Sequence, residues 1–514
     1  MPAEIRQQII RIYFFEVFDC SWSEPYITFW RYTMKELALY AMEILKGKGI
    51  DYADIRITRY NYENFIVQDL SPKQVNVEET YGFGIRVLYD GAWGFASSSR
   101  VDRKEVEKIA KRALDIAKSS SIARGDFRVK LASEPVHVDK YFTPIEIDPF
   151  SIPVEEKLNL LIEINETMLK VKGIVKAISR MHFRRREQIF ASTEGSLIET
   201  IIYTSNAGYT AFAVGNNDTQ TRSFQDYPLN AGYEHIKKLG LVENAERIAE
   251  EARMKLYAEE PDEEVLDLVL DPAHLSLTIH ESVGHPTELD RVMGYEANFA
   301  GRSFATPEKL GKFRYGSPLV NFIADNTLPR GLATTGYDDE GVECQKWYIV
   351  KEGILVGYST TREVAPLIGE VRSRGSARAD NFYSFPINRI PNLYLAPGKE
   401  RVTPEELIQD VKRGIYIEGR GSYSIDQMRL NFQFGGDLFY RIENGKKTKM
   451  LKNVIYQSIT PEFWNALDGL TDERFWEPRG FLTCGKGEPI QLAQMTNGAP
   501  YARFRKIRTG RGRR

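Results

Sequence analysis

Apolar residues recur at helical spacing in several segments of this chain, and these segments predict amphipathic helices. The pattern spans residues 35–45, 106–117 and 154–170, where one face of a helix would be apolar and the other polar. Residues 233–256 also read as helical and highly charged, with Gly240 as an expected break.

Between the helices, apolar and polar residues alternate with a period of two, which predicts half-buried strands. Asp90-Gly91 is a hairpin signal between two such runs. Helices beside these strands favour a mixed sheet with flanking helices. The predicted strands of this half are 53–58, 64–68, 74–79, 84–89, 93–96, 174–178, 188–192, 196–203 and 208–214.

The pattern changes near residue 263, after an acidic junction. Residues 265–270 have the composition of a buried strand, and Asp271-Pro272 is a helix start, with Asp as cap and Pro in the first turn. Short strands and glycine turns then dominate, at 320–325, 345–351, 355–360, 392–395, 429–434 and 438–443.

We therefore predict an α+β protein, with an N-terminal mixed-sheet α/β domain followed by a larger β-rich C-terminal domain. The predicted domains are residues 34–262 and 263–514. We expect residues 1–33 to be an extension, because Met34 opens a well-patterned helix and offers an alternative start.

Composition excludes several classes of protein. The net charge of −2 over 514 residues gives no overall field for nucleic acid or an anionic membrane. No apolar run approaches the ~18 residues of a membrane span. Three scattered cysteines do not form a disulfide framework, so we expect a reducing, cytoplasmic location.

The segment His280-Glu281-Ser282-Val283-Gly284-His285 carries the strongest chemical signal. The chain has six histidines, and His274, His280 and His285 lie close together. Neutral imidazole is a common metal ligand, and a neighbouring carboxylate can act as a general base.

A separation of five residues is unusual for two ligands on one helix. In a regular α-helix it leaves side chains roughly 140° apart, against roughly 40° for a separation of four. Either a π-type turn brings the histidines together, with Gly284 supplying backbone freedom, or His285 reaches the metal from beyond the helix end, since Pro286 follows it. A buried helix with two core histidines is the third reading.

Seven sequence strings give this chain a resemblance to the TldD/PmbA family of metallopeptidases, in its TldD-like catalytic branch. Together they span nearly everything after Met34. The strings are GFGIRVLYDGAWGFAS, IHESVGHPTELDRVMGYEANFAG, GYDDEGV, EGILVGY, NRIPNLYLAPG, RLNFQFG and TCGKGEP.

The resemblance implies a site and an activity. In that family the two histidines and a distant cysteine hold Zn²⁺, and the glutamate acts on the metal-bound water. The matching positions are His280, His285 and Cys484 as metal ligands and Glu281 as the catalytic residue. The resemblance also implies unfolded or short peptides as substrates, and a cytoplasmic homodimer or a heterodimer with a TldE/PmbA-like subunit.

Two nitrogens and one sulfur would leave the fourth coordination position of a tetrahedral zinc ion open, which is typical of catalytic zinc sites. Two other functions compete with the peptidase. One is a non-catalytic, peptide-binding or modulator subunit, and the other is a purely structural zinc site. The intact motif argues against the first, and Glu281 argues against the second, because a structural site has no use for an adjacent base.

Other polar residues are expected to have ordinary roles. His274 is predicted to be packed or solvated rather than a ligand. Glu288 and Asp290 are interpreted as a solvated helix face, with orientation of a ligand imidazole as the alternative. Residues 184–186 are interpreted as a solvated basic loop.

Overall fold

The computed structural model describes residues 24–512, with side chains from residue 32 onward. Cys20 and most of the predicted extension lie outside the described residues. The α-helices of this part are α1 (Glu24–Leu45), α2 (Arg103–Ala123), α3 (Val154–Leu169), α4 (Glu234–Lys238), α5 (Leu241–Lys255), α6 (Pro272–Ile279), α7 (Leu289–Val292), α8 (Pro404–Gln409) and α9 (Thr460–Asn465).

The first helix begins at Glu24 rather than at Met34, so the predicted helix start is wrong. Residues 25–33 are rich in aromatic and β-branched types, which favour strands and hid the helical period. The predicted break at Gly240 is confirmed, because Gly240 lies between α4 and α5 with φ of 61°.

The N-terminal half contains a seven-stranded sheet in the order β3-β2-β1-β5-β6-β4, with β7 also paired to β6. Strand β4 runs parallel to β6 and the other pairs are antiparallel, so the sheet is mixed. Its strands are β1 (Tyr52–Gln68), β2 (Ser71–Tyr89), β3 (Ala92–Ser98), β4 (Val138–Phe142), β5 (Ile174–Ser192), β6 (Leu197–Gly215) and β7 (Asp218–Phe224).

Four of these strands are longer than predicted, since β1, β2, β5 and β6 each merge two predicted strands. In β5 the odd-numbered Met181 and Phe183 pack into the core shared with α3 and α5. Successive side chains of a strand point to opposite faces. The even-numbered polar residues therefore face a second protein layer, and this layer keeps the strand continuous through its polar middle.

The predicted basic loop at residues 184–186 is wrong for the same reason. All three arginines lie within β5, and Arg185 and Arg186 are buried. Arg186 approaches Asp339 of the C-terminal half at 3.6 Å. Contact with an opposite charge across the layer explains how a basic cluster is accommodated away from solvent.

The C-terminal half is built on two larger sheets and a small two-stranded one. Six strands follow the order β11-β10-β9-β14-β23-β22, and eight follow β16-β17-β20-β24-β8-β15-β18-β19, with β21 paired to β24. The strands are β8 (Glu264–Leu270), β9 (Phe322–Asp325), β10 (Lys346–Lys351), β11 (Ile354–Leu355), β12 (Ala377–Arg378), β13 (Ile387–Asn388), β14 (Leu393–Leu395), β15 (Arg413–Glu418), β16 (Tyr423–Ile425), β17 (Asn431–Gly435), β18 (Leu438–Glu443), β19 (Lys446–Leu451), β20 (Val454–Ile459), β21 (Leu467–Leu470), β22 (Gly480–Lys486), β23 (Gln491–Gly498) and β24 (Ala502–Arg511).

This arrangement confirms the predicted fold class, an α+β protein with a mixed sheet first and a β-rich part after it. The sheets of the C-terminal half enclose one large apolar core, in which Trp464 is fully buried. Strands β16 and β22 are the outermost strands of their sheets. Among residues 24–512, no helix combines the length and the hydropathy needed to cross a membrane.

Buried charges join the two halves. Arg86 of β2 binds Asp54 of β1 and also Glu340, at 3.1 Å, while the guanidinium stacks over Trp93 and Phe385. The acidic string Asp338–Glu340 forms a buried turn. Its carboxylates are accommodated because arginines and backbone N–H groups face them.

We expect Arg86→Ala to destabilise the protein by about 3–5 kcal/mol, because it leaves Asp54 and Glu340 buried without their cation. The matched control is Arg100→Ala, which breaks an exposed pair with Asp102 and costs below about 1 kcal/mol. Denaturant unfolding of both variants measures the difference. Equal midpoints for the two variants would contradict the assigned importance of this junction.

Candidate metal centre

The HESVGH segment leaves regular helix geometry at its first histidine. Asp271 caps α6 by accepting a hydrogen bond from the His274 N–H at 2.7 Å, with Pro272 in the first turn, as predicted. A π turn then spans His280–Gly284, and the N–H of His285 donates to the carbonyl of His280. The structure therefore has the π turn, one of the two distortions expected from the spacing.

Pro286 supplies a local reason for this distortion. Proline has no N–H, so the carbonyl of Ser282 loses the partner it would have in a continuing α-helix. The hydroxyl of Tyr315 donates to this carbonyl instead. The Ser282 side chain is also held, since it accepts from the Trp464 indole at 3.0 Å. Contacts from distant parts of the chain thus stabilise the irregular turn.

Gly284 is needed for space rather than for backbone freedom. Its φ and ψ of −59° and −63° suit any residue. A Cβ at this position would lie 2.9 Å from Cδ1 of Ile390, closer than side chains normally approach. The prediction that Gly284 supplies conformational freedom is therefore wrong, and close packing of the turn against Ile390 replaces it.

Cys484 reaches the histidines from edge strand β22, through a β-bulge. Phe481 pairs with Met495 and Cys484 pairs with Ala493. Moving three residues along β22 therefore corresponds to moving only two residues along β23, so β22 contains one extra residue. Without the extra residue, Phe481 and Cys484 would face opposite sides of the sheet. The bulge lets Phe481 stack on His280, with ring centroids 4.4 Å apart, while Cys484 faces the same site.

The structure thus brings the three sequence-predicted metal ligands together. The ligand atoms of His280, His285 and Cys484 lie within 4.8 Å of one another, and all three residues are buried. Cys484 Sγ is 3.5 Å from His285 Nε2. In a tetrahedral zinc site with bonds of roughly 2.0–2.3 Å, ligand atoms are spaced about 3.5 Å apart.

Hydrogen bonds fix which nitrogen of each imidazole faces this centre. Nδ1 of His280 contacts Asn497 Oδ1 at 3.0 Å, and Nδ1 of His285 contacts Glu288 Oε2 at 2.8 Å. Both acceptors hold a proton on Nδ1, which directs each Nε2 toward the centre. The arrangement is the one that metal-binding histidines commonly have.

The charge states of the three groups are coupled. Burial would raise the pKa of the Cys484 thiol, but His280 and His285 outweigh it and hold that pKa well below its usual value. Burial would lower the pKa of His285, but Cys484 and then Glu288 raise it to about 9. The surroundings therefore favour a thiolate, the form in which cysteine binds metals.

Glu288 and Asp290 are buried, so their interpretation as a solvated face is wrong. Lys486 lies between them, with Nζ 3.1 Å from Glu288 Oε1 and 2.7 Å from Asp290 Oδ1. Burial would raise the pKa of Glu288, but Lys486, His285 and Arg291 together hold it well below its usual value. Glu288 is thus the orienting partner of His285, the alternative foreseen from sequence.

Glu281 directly follows His280 in the chain and is paired with Arg429. Arg429 Nη1 donates to Glu281 Oε2 at 2.5 Å, and its backbone has a positive φ of 60°. The turn that holds it is fixed by Asp426, whose carbonyl accepts from the Arg429 N–H. Tyr423 is also close, since the charge of Glu281, followed by burial, raises the pKa of its phenol.

Several contacts of the site were missed from the sequence. They are Asn497, Phe481, Arg429, Lys486 and Arg389, whose guanidinium donates to the carbonyl of Cys484. None lies near HESVGH in the chain, so spacing carried no signal for them. Three belong to the quoted strings, and these strings were the available pointer: Arg389 lies in NRIPNLYLAPG, Arg429 in RLNFQFG and Lys486 in TCGKGEP.

The remaining candidates have structural roles. His274 is fully buried between the Gly419 carbonyl and the Tyr456 hydroxyl, at 2.9 Å from each, as the packed reading predicted. Burial raises the pKa of Cys344 to about 11. Its Sγ lies 4.0 Å from Thr335 Oγ1.

The chain belongs to the PmbA/TldD family of metallopeptidases. Models of the PmbA/TldA metallopeptidase match in three successive parts: domain 1 at residues 53–117, the central domain at 147–256 and the C-terminal domain at 263–511. A metalloprotease of Methanocaldococcus jannaschii is 32% identical over 409 residues, covering 78% of this chain and 86% of the relative.

Two further comparisons extend the likeness. A protein named zinc metalloprotease TldD homolog, of Saccharolobus solfataricus, is 24% identical over 90% of this chain and 97% of its own length. The crystal structure of TldE from Thermococcus kodakarensis shares the fold, with a TM-score of 0.69 and 16% identity, over 93% of this chain and 99% of that one. A Thermotoga maritima structure described as a putative modulator of a DNA gyrase has a TM-score of 0.73 and 16% identity, over 93% and 100%.

We expect Gly284→Ala to destabilise the protein by about 1–3 kcal/mol, because the added methyl group collides with Ile390. Replacing Ile390 by Val in the same chain removes the colliding Cδ1 and restores part of the loss. Thermal unfolding of the two single variants and the double variant gives the coupling. Strictly additive effects would mean that Gly284 serves another purpose.

Proposed function

We propose that this protein is a zinc-dependent metallopeptidase that hydrolyses unfolded or short peptides. His280, His285 and Cys484 are the proposed zinc ligands and Glu281 the general base. The observation that carries the proposal is the convergence of two oriented imidazoles and a buried sulfur. The metalloprotease names of the relatives support it.

The donor set fits zinc. Two imidazole nitrogens and a thiolate suit a borderline-soft cation and leave a fourth position for substrate or water. Glu288 and Asn497 orient the imidazoles through Nδ1. Zinc supplies Lewis-acid chemistry here, because it lowers the pKa of water and polarises a carbonyl oxygen.

Glu281 directly follows His280 in the chain, and in this proposal its carboxylate reaches the water at the open position. In this proposal Glu281 takes a proton from the attacking water and passes it to the leaving amine. Arg429 positions Glu281 through their ion pair. Tyr423, which is about half exposed, stands on the solvent side of Glu281.

We infer that the peptide lies along β22. In the described part of the chain this strand is the last of its sheet, so an extended chain can be added along its outer side, although Arg389 and Arg420 already donate to the carbonyls of Cys484 and Gly480. Cys484 belongs to the same strand, so in this proposal the bound chain runs past the metal site. Backbone pairing is tolerant of sequence and therefore suits substrates that share no fold.

Two other functions are weaker. A structural zinc site needs no general base, and Glu281 would then be a buried carboxylate with no catalytic role. A non-catalytic modulator subunit is suggested by the description of the Thermotoga maritima neighbour. That likeness is one of fold, whereas the chain retains both histidines, the cysteine and the glutamate.

We propose cytoplasmic location and assembly as a homodimer or with a TldE/PmbA-like subunit. The fold shared with TldE supports a related partner. We also retain residues 34–262 and 263–514 as the two domains, with the proposed zinc site wholly in the second.

Glu281→Gln is expected to keep zinc and to lower the turnover of an unstructured peptide by about 10²–10⁴-fold, the usual contribution of a general base. The matched control is Glu443→Gln, an exposed position at the end of β18. Zinc content and peptide cleavage are measured on both. Full activity of Glu281→Gln at unchanged zinc content would refute Glu281 as the base.

Cys484→Ser is expected to lower the zinc content of the purified protein, and chelation of the wild type is expected to abolish turnover while most of the fold remains. Cys344→Ser is the matched control, because Cys344 lies outside the three-residue group. Elemental analysis and circular dichroism are the measurements. Unchanged zinc affinity of Cys484→Ser would place the third ligand elsewhere, and global unfolding on chelation would indicate structural metal.

A further inference from the structure

The sheet that contains β16, β17 and β20 carries the helix of the metal centre on one face. Tyr456 of β20 contacts His274 Nε2 at 2.9 Å and Thr278 Oγ1 at 3.0 Å, and both of these residues belong to α6. Glu281 follows Thr278 by three residues, a separation at which the side chains of a helix lie on the same side. This side of α6, continued by Glu281, therefore faces the sheet.

Tyr423 extends the same face to the edge of the sheet. In the strand register Tyr423 of β16 is opposite Phe434 of β17, and Phe434 is opposite Tyr456 of β20. Residues directly opposite one another in antiparallel strands place their side chains on one face. The three side chains thus form a row that begins at Tyr456, against α6, and ends at Tyr423 on the outermost strand.

The hairpin of β16 and β17 also contacts Glu281 directly. Arg429 lies in the turn between the two strands and makes the ion pair with Glu281. The charge of Glu281, followed by burial, raises the pKa of the Tyr423 phenol, and Cys484 adds to this rise against the effect of Arg429. The phenol therefore keeps its proton at neutral pH, as a hydrogen-bond donor must.

The Tyr423 hydroxyl is accessible and is not engaged within the protein. The residue is 56% exposed, and within residues 24–512 its hydroxyl has no hydrogen-bond partner. Tyr423 can therefore donate to a bound substrate without breaking a contact inside the protein, which would carry a cost. Other donor side chains around the three ligands already donate to protein acceptors: Arg389, Arg429, Lys486 and Asn497.

Peptide hydrolysis has a use for such a donor. As water adds to the scissile carbonyl carbon, negative charge develops on the carbonyl oxygen. A hydrogen-bond donor aimed at this oxygen stabilises the transition state, and removal of one such donor lowers turnover by about 10²–10³-fold in known enzymes. A phenol suits this role, because it donates a hydrogen bond while it keeps its proton.

We propose that Tyr423 is a catalytic residue whose hydroxyl donates a hydrogen bond to the oxyanion that forms at the scissile carbonyl. The proposal rests on the peptidase function proposed above. The proton stays on the phenol oxygen throughout, so Glu281 remains the group that moves protons. Tyr423 stabilises charge on the substrate, whereas Arg429 acts through Glu281.

The first experiment measures turnover of an unstructured peptide by Tyr423→Phe. We expect kcat to fall about 10²-fold, with KM changed less than about twofold and zinc content unchanged. The matched control is Tyr257→Phe, which removes another exposed phenol hydroxyl, just after α5, and is expected to keep the wild-type kcat. If the wild type is active and Tyr423→Phe is equally active, the proposal alone is overturned. An inactive zinc-loaded wild type would overturn the peptidase function and this proposal with it.

The second experiment measures binding instead of turnover. A phosphinic peptide carries a tetrahedral oxyanion in place of the scissile bond and is not cleaved, so its affinity reports stabilisation of that charge. We expect Tyr423→Phe to weaken its binding about 10–100-fold. Binding of the matching cleavable peptide, measured on zinc-loaded Glu281→Gln with and without Tyr423→Phe, is expected to change less than about twofold.

Two results of the binding experiment would overturn the role of Tyr423. One is equal affinity of the phosphinic peptide for the wild type and for Tyr423→Phe. The other is a loss of affinity that is confined to Arg429→Lys, which would assign the contact with the oxyanion to Arg429.

Discussion

A single backbone hydrogen bond, from the N–H of His285 to the carbonyl of His280, sets the geometry on which the candidate site depends. In an ordinary helix two residues five apart diverge by roughly 140°. The π turn removes that divergence, and the imidazole rings come to 4.9 Å between centroids. It persists because Pro286 cannot continue the helix, because Tyr315 satisfies the carbonyl of Ser282, and because Gly284 fits against Ile390.

The turn would still lack a third ligand without the β-bulge of β22. An insertion of one residue changes which face of the sheet a side chain occupies, so the bulge decides whether Cys484 meets the histidines. Arg389 holds the carbonyl of Cys484, and Lys486 pairs with Glu288, the carboxylate that orients His285. Buried charged residues thus hold the π turn and the β-bulge in place relative to each other.

The two halves of the chain also depend on each other. The N-terminal sheet buries one face in its own helices and turns a polar face toward the C-terminal half. Arg86 and Arg186 meet the acidic turn Asp338–Glu340 across this layer. The same face lines a cavity beside β22. The sequence predicts short, interrupted strands here, but the strands of this sheet are continuous. The polar residues that seemed to interrupt them make the contacts between the two halves.

The sequence by itself determined the class of fold, the cap at Asp271, the break at Gly240 and which residues of the HESVGH segment are the proposed metal ligands. These features are local, since they follow from periodicity, capping and turn chemistry within a few residues. The spacing of five residues between His280 and His285 also limited the possible distortions of this helix to a small set. The tertiary structure decided the π turn, the burial of Glu288 and Asp290, and the partners Arg429 and Asn497. The physical reason is that these outcomes depend on contacts between segments far apart in the chain, which a local pattern does not encode.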